Sequence, residues 1–163
     1  MTDNFNSVLN EKLRSSPFWS KVGFRLESSS EGRVRIQLPY DVGNTTAATA
    51  LHGGAIAATL DAAGCLAAWS EEEREGLSGQ LLACDVSYIA AWMTTELGRR
   101  NLFGSTLNTK IKVFAPLIKR DVIVRARAVG GSGSVIHSDV DILSIAGEPV
   151  ASGSTIYRIV DRG

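Results

Sequence analysis

Cysteine is scarce in this sequence: 163 residues carry only Cys65 and Cys84. Two thiols cannot build a disulfide framework, and these two show neither Cys-x-x-Cys spacing nor histidines in zinc-site register. A stapled secreted scaffold and the common zinc modules are thereby excluded; no metal site is expected, and the setting reads as reducing and cytoplasmic. Excess charge is missing too. Lys and Arg number 17 and so do Asp and Glu, whereas a nucleic-acid binder usually carries a basic surplus. The longest apolar run, residues 53–68, has 16 residues and an acid in its middle, short of a membrane span. The first residues, with Asp3 and Glu11 and no apolar segment, do not read as a secretory leader. No fixed-period repeat and no low-complexity linker is found.

What is present is an ordinary globular balance, 44% hydrophobic and 21% charged, expected to form a single domain over residues 1–163. Phe5, Val8, Leu9 and Leu13 recur at helical spacing, so 4–15 reads as a short amphipathic helix stopped by Pro17. Val22, Phe24 and Leu26 alternate with polar residues, as do Val34, Ile36 and Leu38. With Ser30-Glu31-Gly32 as the turn they read as a hairpin. A Gly/Thr/Asn-rich loop follows over 40–51, then a long helix over 53–70. Residues 71–103 form an insert. Within it, 81–98 fits a helical stripe (Leu82, Val86, Ile89, Met93, Leu97) or, as the alternative, a strand through 83–90. The last third, 104–160, reads as a meander of four strands, with Leu107, Thr109, Ile111 and Val113 alternating in the first and 121–129, 134–144 and 149–160 as the others. Gly130-Gly131-Ser132-Gly133 and Ala146-Gly147 are the expected hairpin turns. The order implies an α+β domain, helices on one face of an antiparallel sheet.

The helix over 53–68 holds one charge, Asp61, and one other polar residue, Thr59. A helix apolar all round is buried, and a buried carboxylate without a partner costs several kcal/mol. Asp61 therefore either has a partner in the core or lines a cavity where its chemistry is used; no Arg or Lys lies near it in sequence. His52-Gly53-Gly54 opens the helix. The first helical N–H groups lack intrahelical acceptors and carry the positive end of the dipole, so they can polarise a carbonyl. The plain alternative is a tight turn. Gly53 and Asp61 are eight residues apart, roughly 12 Å along the axis. Both can serve one reacting carbon only if the site takes Gly53 from one chain and Asp61 from another, as a two-fold dimer allows.

These features, taken in order, resemble the hotdog-fold acyl-CoA thioesterases of the phenylacetate-degradation (PaaI-like) type. The resemblance covers 16–70 and 104–160. It rests on SPFWSKVGFRLESSSEGRVRIQLP, on His52-Gly53-Gly54 with an acid nine residues after the histidine, and on TLNTKIKVFAPL, VIVRARAV, HSDVDIL and PVASGSTIYRIV. It implies an antiparallel sheet wrapped round the long central helix, in dimers that often pair into tetramers; the extra helical insert over 71–103 is where this chain departs from the family, whose connection there is shorter. It implies hydrolysis of an acyl-CoA with no cofactor beyond the CoA of the substrate. Gly53 would donate its N–H to the thioester carbonyl, and Asp61 would be nucleophile or general base. Thr46 stands where relatives place an amide, with Asn44 two residues before it. Thr106, counted back from Pro116, matches a hydroxyl that positions water. Cys65 stands where relatives carry Thr and reads as helix packing.

Other residues carry less. His52 reads as a brace for the loop, with general base as the alternative, and Gly54 as lining for substrate. Lys119 and Arg120 are placed to attract CoA phosphates, or are plain solvated charges. His137 reads as surface. Tyr88, Trp92 and Met93 either cap an acyl tunnel or cover an interface. A non-catalytic acyl-CoA-binding protein of the same fold is the second functional reading; a hydratase ranks last, since the loop histidine is held beside two glycines. No nucleic-acid or membrane partner is expected.

Overall fold

The computed structural model describes residues 10–11, 14–46, 49–72 and 102–161. The expected insert lies almost wholly outside these, as do Tyr88, Trp92 and Met93. Most of the first expected helix does too, although 10–11 and 14–15 are helical.

Pro17 starts a helix rather than stopping one. Helix α1 (Pro17–Val22) is capped by the Ser16 side chain, which accepts from the Trp19 N–H. Proline fits there because the first turn has no acceptor for the N–H it lacks. Val22 thus belongs to a helix, not to the first strand. Gly23, at φ 78°, ends it, and strand β1 (Arg25–Ser30) follows. Glu31 and Gly32, both at positive φ, turn the chain into β2 (Arg33–Leu38), whose Val34, Ile36 and Leu38 point inward. A single 3-10 turn (Val42–Asn44) leads to helix α2 (Gly53–Glu72).

Four strands complete the sheet: β3 (Leu102–Val113), β4 (Val122–Ser132), β5 (Val135–Ser144) and β6 (Pro149–Asp161). Strand β3 begins before the expected 104–107. The glycines after Val129 are not the expected turn either. They continue β4, with a register shift between Ala128 and Gly130, and the turn falls at 133–134. A bulge tolerates Gly130 at φ 141°, and a Cβ on Gly131 would lie 2.0 Å from the Val135 carbonyl oxygen. All pairings are antiparallel, in the order β1-β2-β4-β5-β6-β3.

Helix α2 lies across one face. Leu60, Ala63 and Ala67 are fully buried among Ile36, Val124, Val140 and Tyr157, and Trp69 Nε1 donates to the Tyr157 hydroxyl at 3.1 Å. Small residues in the helix let the sheet close round it. The helix is nevertheless not buried on all sides, as its composition suggests. From Ala62 to Ser70 every residue is buried, but Gly53 and Gly54 are exposed and Ala55, Ala57, Ala58 and Asp61 half-buried. The sheet covers one side of these first turns and leaves the other open. None of the helices among the described residues is long and apolar enough to cross a membrane.

Candidate active site

Two loops set the start of α2. Leu51 donates its N–H to the Leu117 carbonyl, Ala50 bridges Ile118, and His52 donates to the Asn44 carbonyl. The residue before the helix is thereby fixed from both sides. The His52 carbonyl accepts from Ala55 and Ile56, and its imidazole Nδ1 accepts from the Gly54 N–H at 2.9 Å. The imidazole does the work usually given to a Ser or Asp cap. Gly54 therefore has no N–H left for a ligand. Among the described residues the Gly53 N–H has no acceptor, and a Cβ there would meet nothing within 4 Å. One free donor with open space before it stands at the positive end of a 20-residue helix.

Asp61 stands two turns further on. Gly53, Ala57 and Asp61, at i, i+4 and i+8, run along the uncovered side. The carboxylate is half-buried, and Thr109 Oγ1 on β3 donates to its Oδ1 at 2.8 Å. Among the described residues no cation pairs with it, the single ion pair being Arg35 with Glu27. The partner that a buried acid demands is thus a neutral hydroxyl, and the second carboxylate oxygen is left for other work.

Thr106 does not reach Asp61. It pairs with Tyr157, whose hydroxyl is bound to Trp69 near the far end of α2. A bulge at Leu107, between Thr106 and Asn108, separates it from Thr109. Counting back from Pro116 cannot register such a bulge. Thr109 could have been found from the alternation of β3, where it stands on the same side as Ile111.

The remaining candidates are spread round the two loops. Thr46 is exposed and its N–H donates to the Ala50 carbonyl. Asn44 is half-buried, and its Nδ2 donates to the Val22 carbonyl at 2.6 Å. Its amide ties the loop to α1 rather than facing the helix start. Lys119 and Arg120 are exposed, directly after the Ala50–Ile118 bridge. Cys65 is buried in the core, and His137 lies exposed on β5.

No family model matches the sequence, and no curated protein matches it. Solved structures do match. A zebra fish thioesterase superfamily member 2 aligns over 100% of this chain and 99% of its own, at TM-score 0.68 and 17% identity. A Haemophilus influenzae thioesterase aligns over 99% and 91%, at TM-score 0.69 and 16% identity. A hypothetical thioesterase from Streptococcus pneumoniae, solved as an Asp-to-Ala and as a Thr-to-Ala variant, aligns at TM-score 0.63 and 14% identity, over 86% of this chain in both and 93% and 92% of its own. The chain has the hotdog fold. At these identities the likeness is one of architecture: the hotdog sheet, its long helix and the path between them. The identities carry no residue roles across.

Proposed function

We propose that this hotdog protein hydrolyses an acyl-CoA thioester to the free acid and CoA. The observation that carries the reading is the pairing, on one uncovered helix side, of a free N–H at Gly53 with a carboxylate at Asp61 held by a neutral hydroxyl. The structural neighbours named thioesterases support the general reaction. The residue types altered in the Streptococcus structures, an aspartate and a threonine, are those of the Asp61–Thr109 pair.

In this reading the thioester carbonyl lies against the Gly53 N–H, which gains strength as negative charge develops on oxygen. Asp61 of the partner subunit acts in one of two ways. As general base it takes a proton from water while the water oxygen bonds to the carbonyl carbon; the C–S bond then breaks and the CoA sulfur leaves, taking up the proton. As nucleophile it forms an acyl anhydride with release of CoA, and water then cleaves the anhydride. Thr109, whose O–H donates to Oδ1, has oxygen lone pairs free to orient the water. Lys119 and Arg120 attract the CoA phosphates. The working unit is a homodimer or a pair of dimers, because the roughly 12 Å between Gly53 and Asp61 cannot be bridged within one chain. No further cofactor is needed, and a cytoplasmic setting suits a chain whose two cysteines form no disulfide framework.

A panel of short, long and aryl acyl-CoA esters with free-thiol detection tests this. The parent should turn over at least one member. Asp61→Asn should abolish turnover with an unchanged Tm, since the amide is nearly isosteric. Gly53→Pro replaces the N–H by a ring carbon at a position that suits proline, and should lower kcat by about 10²–10³-fold or more. Full activity in Asp61→Asn would refute the assignment. One observation favours the alternative, a non-catalytic acyl-CoA binder: the Asn44 amide is spent on Val22 and Thr46 offers only a hydroxyl. Binding of CoA esters without turnover in the parent would establish that reading instead.

A further inference from the structure

Three hydroxyls form a row across the sheet beneath α2. Ser138 on β5 pairs with Thr155 on β6, and Thr155 pairs with Thr109 on β3. Directly opposed residues share a sheet face, so all three point at the helix. The outer two are engaged: Ser138 Oγ donates to the Gly64 carbonyl at 3.1 Å, and Thr109 Oγ1 donates to Asp61 at 2.8 Å. The middle one, Thr155 Oγ1, is buried and makes no hydrogen bond among the described residues. It lies against Gly64 instead. A Cβ added to Gly64 would stand 2.1 Å from Thr155 Oγ1, 2.6 Å from its Cγ2 and 2.9 Å from its Cβ.

An orphaned buried hydroxyl lowers stability, so the polar atom of Thr155 is not what this contact gains. The gain is closeness. Helix and β6 approach as only glycine permits, one turn from Asp61, where the covered side of the helix meets the open one. The neighbouring strand is β3, fixed by its ladder roughly 4.8 Å away. A threonine side chain is short, and whether it reaches the carboxylate depends on the gap between helix and sheet. We propose that Gly64 is a positioning residue for hydrolysis: its missing Cβ lets α2 settle on Thr155, and this sets the gap across which Thr109 holds Asp61. The inference rests on the reading of Asp61 as the reacting carboxylate.

Alanine at 64 must part helix and β6 by close to an ångström to escape the Thr155 contact. A 2.8 Å bond stretched that far is no longer a hydrogen bond. The test is a double-mutant cycle of Gly64→Ala and Thr109→Val on the thioester the parent hydrolyses best, with Tm measured alongside. Gly64→Ala should lower kcat by roughly 10–10²-fold, the cost of a misplacement of about 1 Å. KM should stay within about twofold, because the lost interaction belongs to the transition state. In the Thr109→Val background the same change should cost nothing more in kcat, because the bond it disturbs is already gone. Thr155→Ala added to Gly64→Ala removes the two nearest contacts and should return most of the lost kcat. Thr155→Val keeps the shape without the hydroxyl and should retain kcat with a raised Tm.

Independent, multiplying losses in the cycle would overturn the proposal, as would unchanged kcat in Gly64→Ala. If Gly64→Ala does not fold, Thr155→Val decides: a loss of kcat there would mean that the hydroxyl, not the spacing, matters. Asp61→Asn run in parallel separates the two claims. Parental activity in that variant, or no turnover by the parent, sinks the catalytic reading and this inference with it. An inactive Asp61→Asn beside an additive cycle sinks the Gly64 inference alone.

Discussion

Asp61 and Thr109 are 48 residues apart in sequence and share one hydrogen bond. The bond orients the carboxylate through a neutral hydroxyl rather than through an arginine or lysine. Thr109→Val should therefore lower kcat by roughly 10–10²-fold while leaving KM near parental, a loss of orientation rather than of binding. Thr106→Val, made for comparison, should leave kcat within about twofold, since the group it alters sits by Tyr157 and not in a transition-state contact. Steady-state kinetics on the two variants checks both. Much of this site could be read from residue types. An acid alone in an apolar helix and two glycines after a histidine are visible in one dimension. The identity of the hydroxyl is not, because one extra residue at Leu107 shifts the register of the strand that carries it.

Helix α2 works as the strut on which the sheet is built, and its composition says so. Leu60 is the large residue of its middle turns, fully buried and touching the sheet close to Gly153. Leu60→Ala should cost about 2–5 kcal/mol in a denaturant titration, the usual range for such a cavity. Asp61 lies next to it, so activity in that variant reports how far the helix sags. Strand positions were legible where side chains alternate, as in β2 and β5, because a sheet with one covered face imposes a period of two. They were obscure where backbone rules decide. Pro17 punctuates a chain equally well as a first helical residue or as a stop, and Gly130-Gly131 could turn or bulge; only the pairing partner settles which. The uncovered first turns of α2 were not visible at all, because composition gives the polarity of a helix but not the extent of the sheet beside it.

In the whole molecule the two sheet edges differ. The β1 edge is partly covered, since the Asn10 amide both donates to and accepts from the backbone of Leu26. The other edge, β3, has 12 residues and pairs with no further strand among the described residues. Exposed Leu107, Val113 and Phe114 lie on or beside it. A long free edge invites another strand, and a second copy would bring its helix beside the open side of α2. Shared sites can be tested by complementation. Gly53→Pro and Asp61→Asn chains, the first strongly impaired and the second inactive alone, are mixed after reversible dissociation. If each site takes Gly53 from one subunit and Asp61 from the other, a mixed dimer has one site with both defects and one with none. Activity should then return to as much as half the parental value per mixed dimer. No recovery, with mixed dimers shown by mass spectrometry, would mean that each site lies within one chain.

The strand order β1-β2-β4-β5-β6-β3 also fixes a sequence of events in time. Strands β4, β5 and β6 follow one another through tight turns, so their pairing closes short loops. Joining β2 to β4 and β3 to β6 closes far longer ones, at a larger entropic cost. The meander can assemble early, whereas the two flanks wait for the helix to bring them in. Of the two closures, β2 to β4 spans the longer stretch of chain, so by loop entropy the flank on the β2 side stays open longest. The hydroxyl of Thr109 reaches its carboxylate only when both β3 and the helix are in place on the meander.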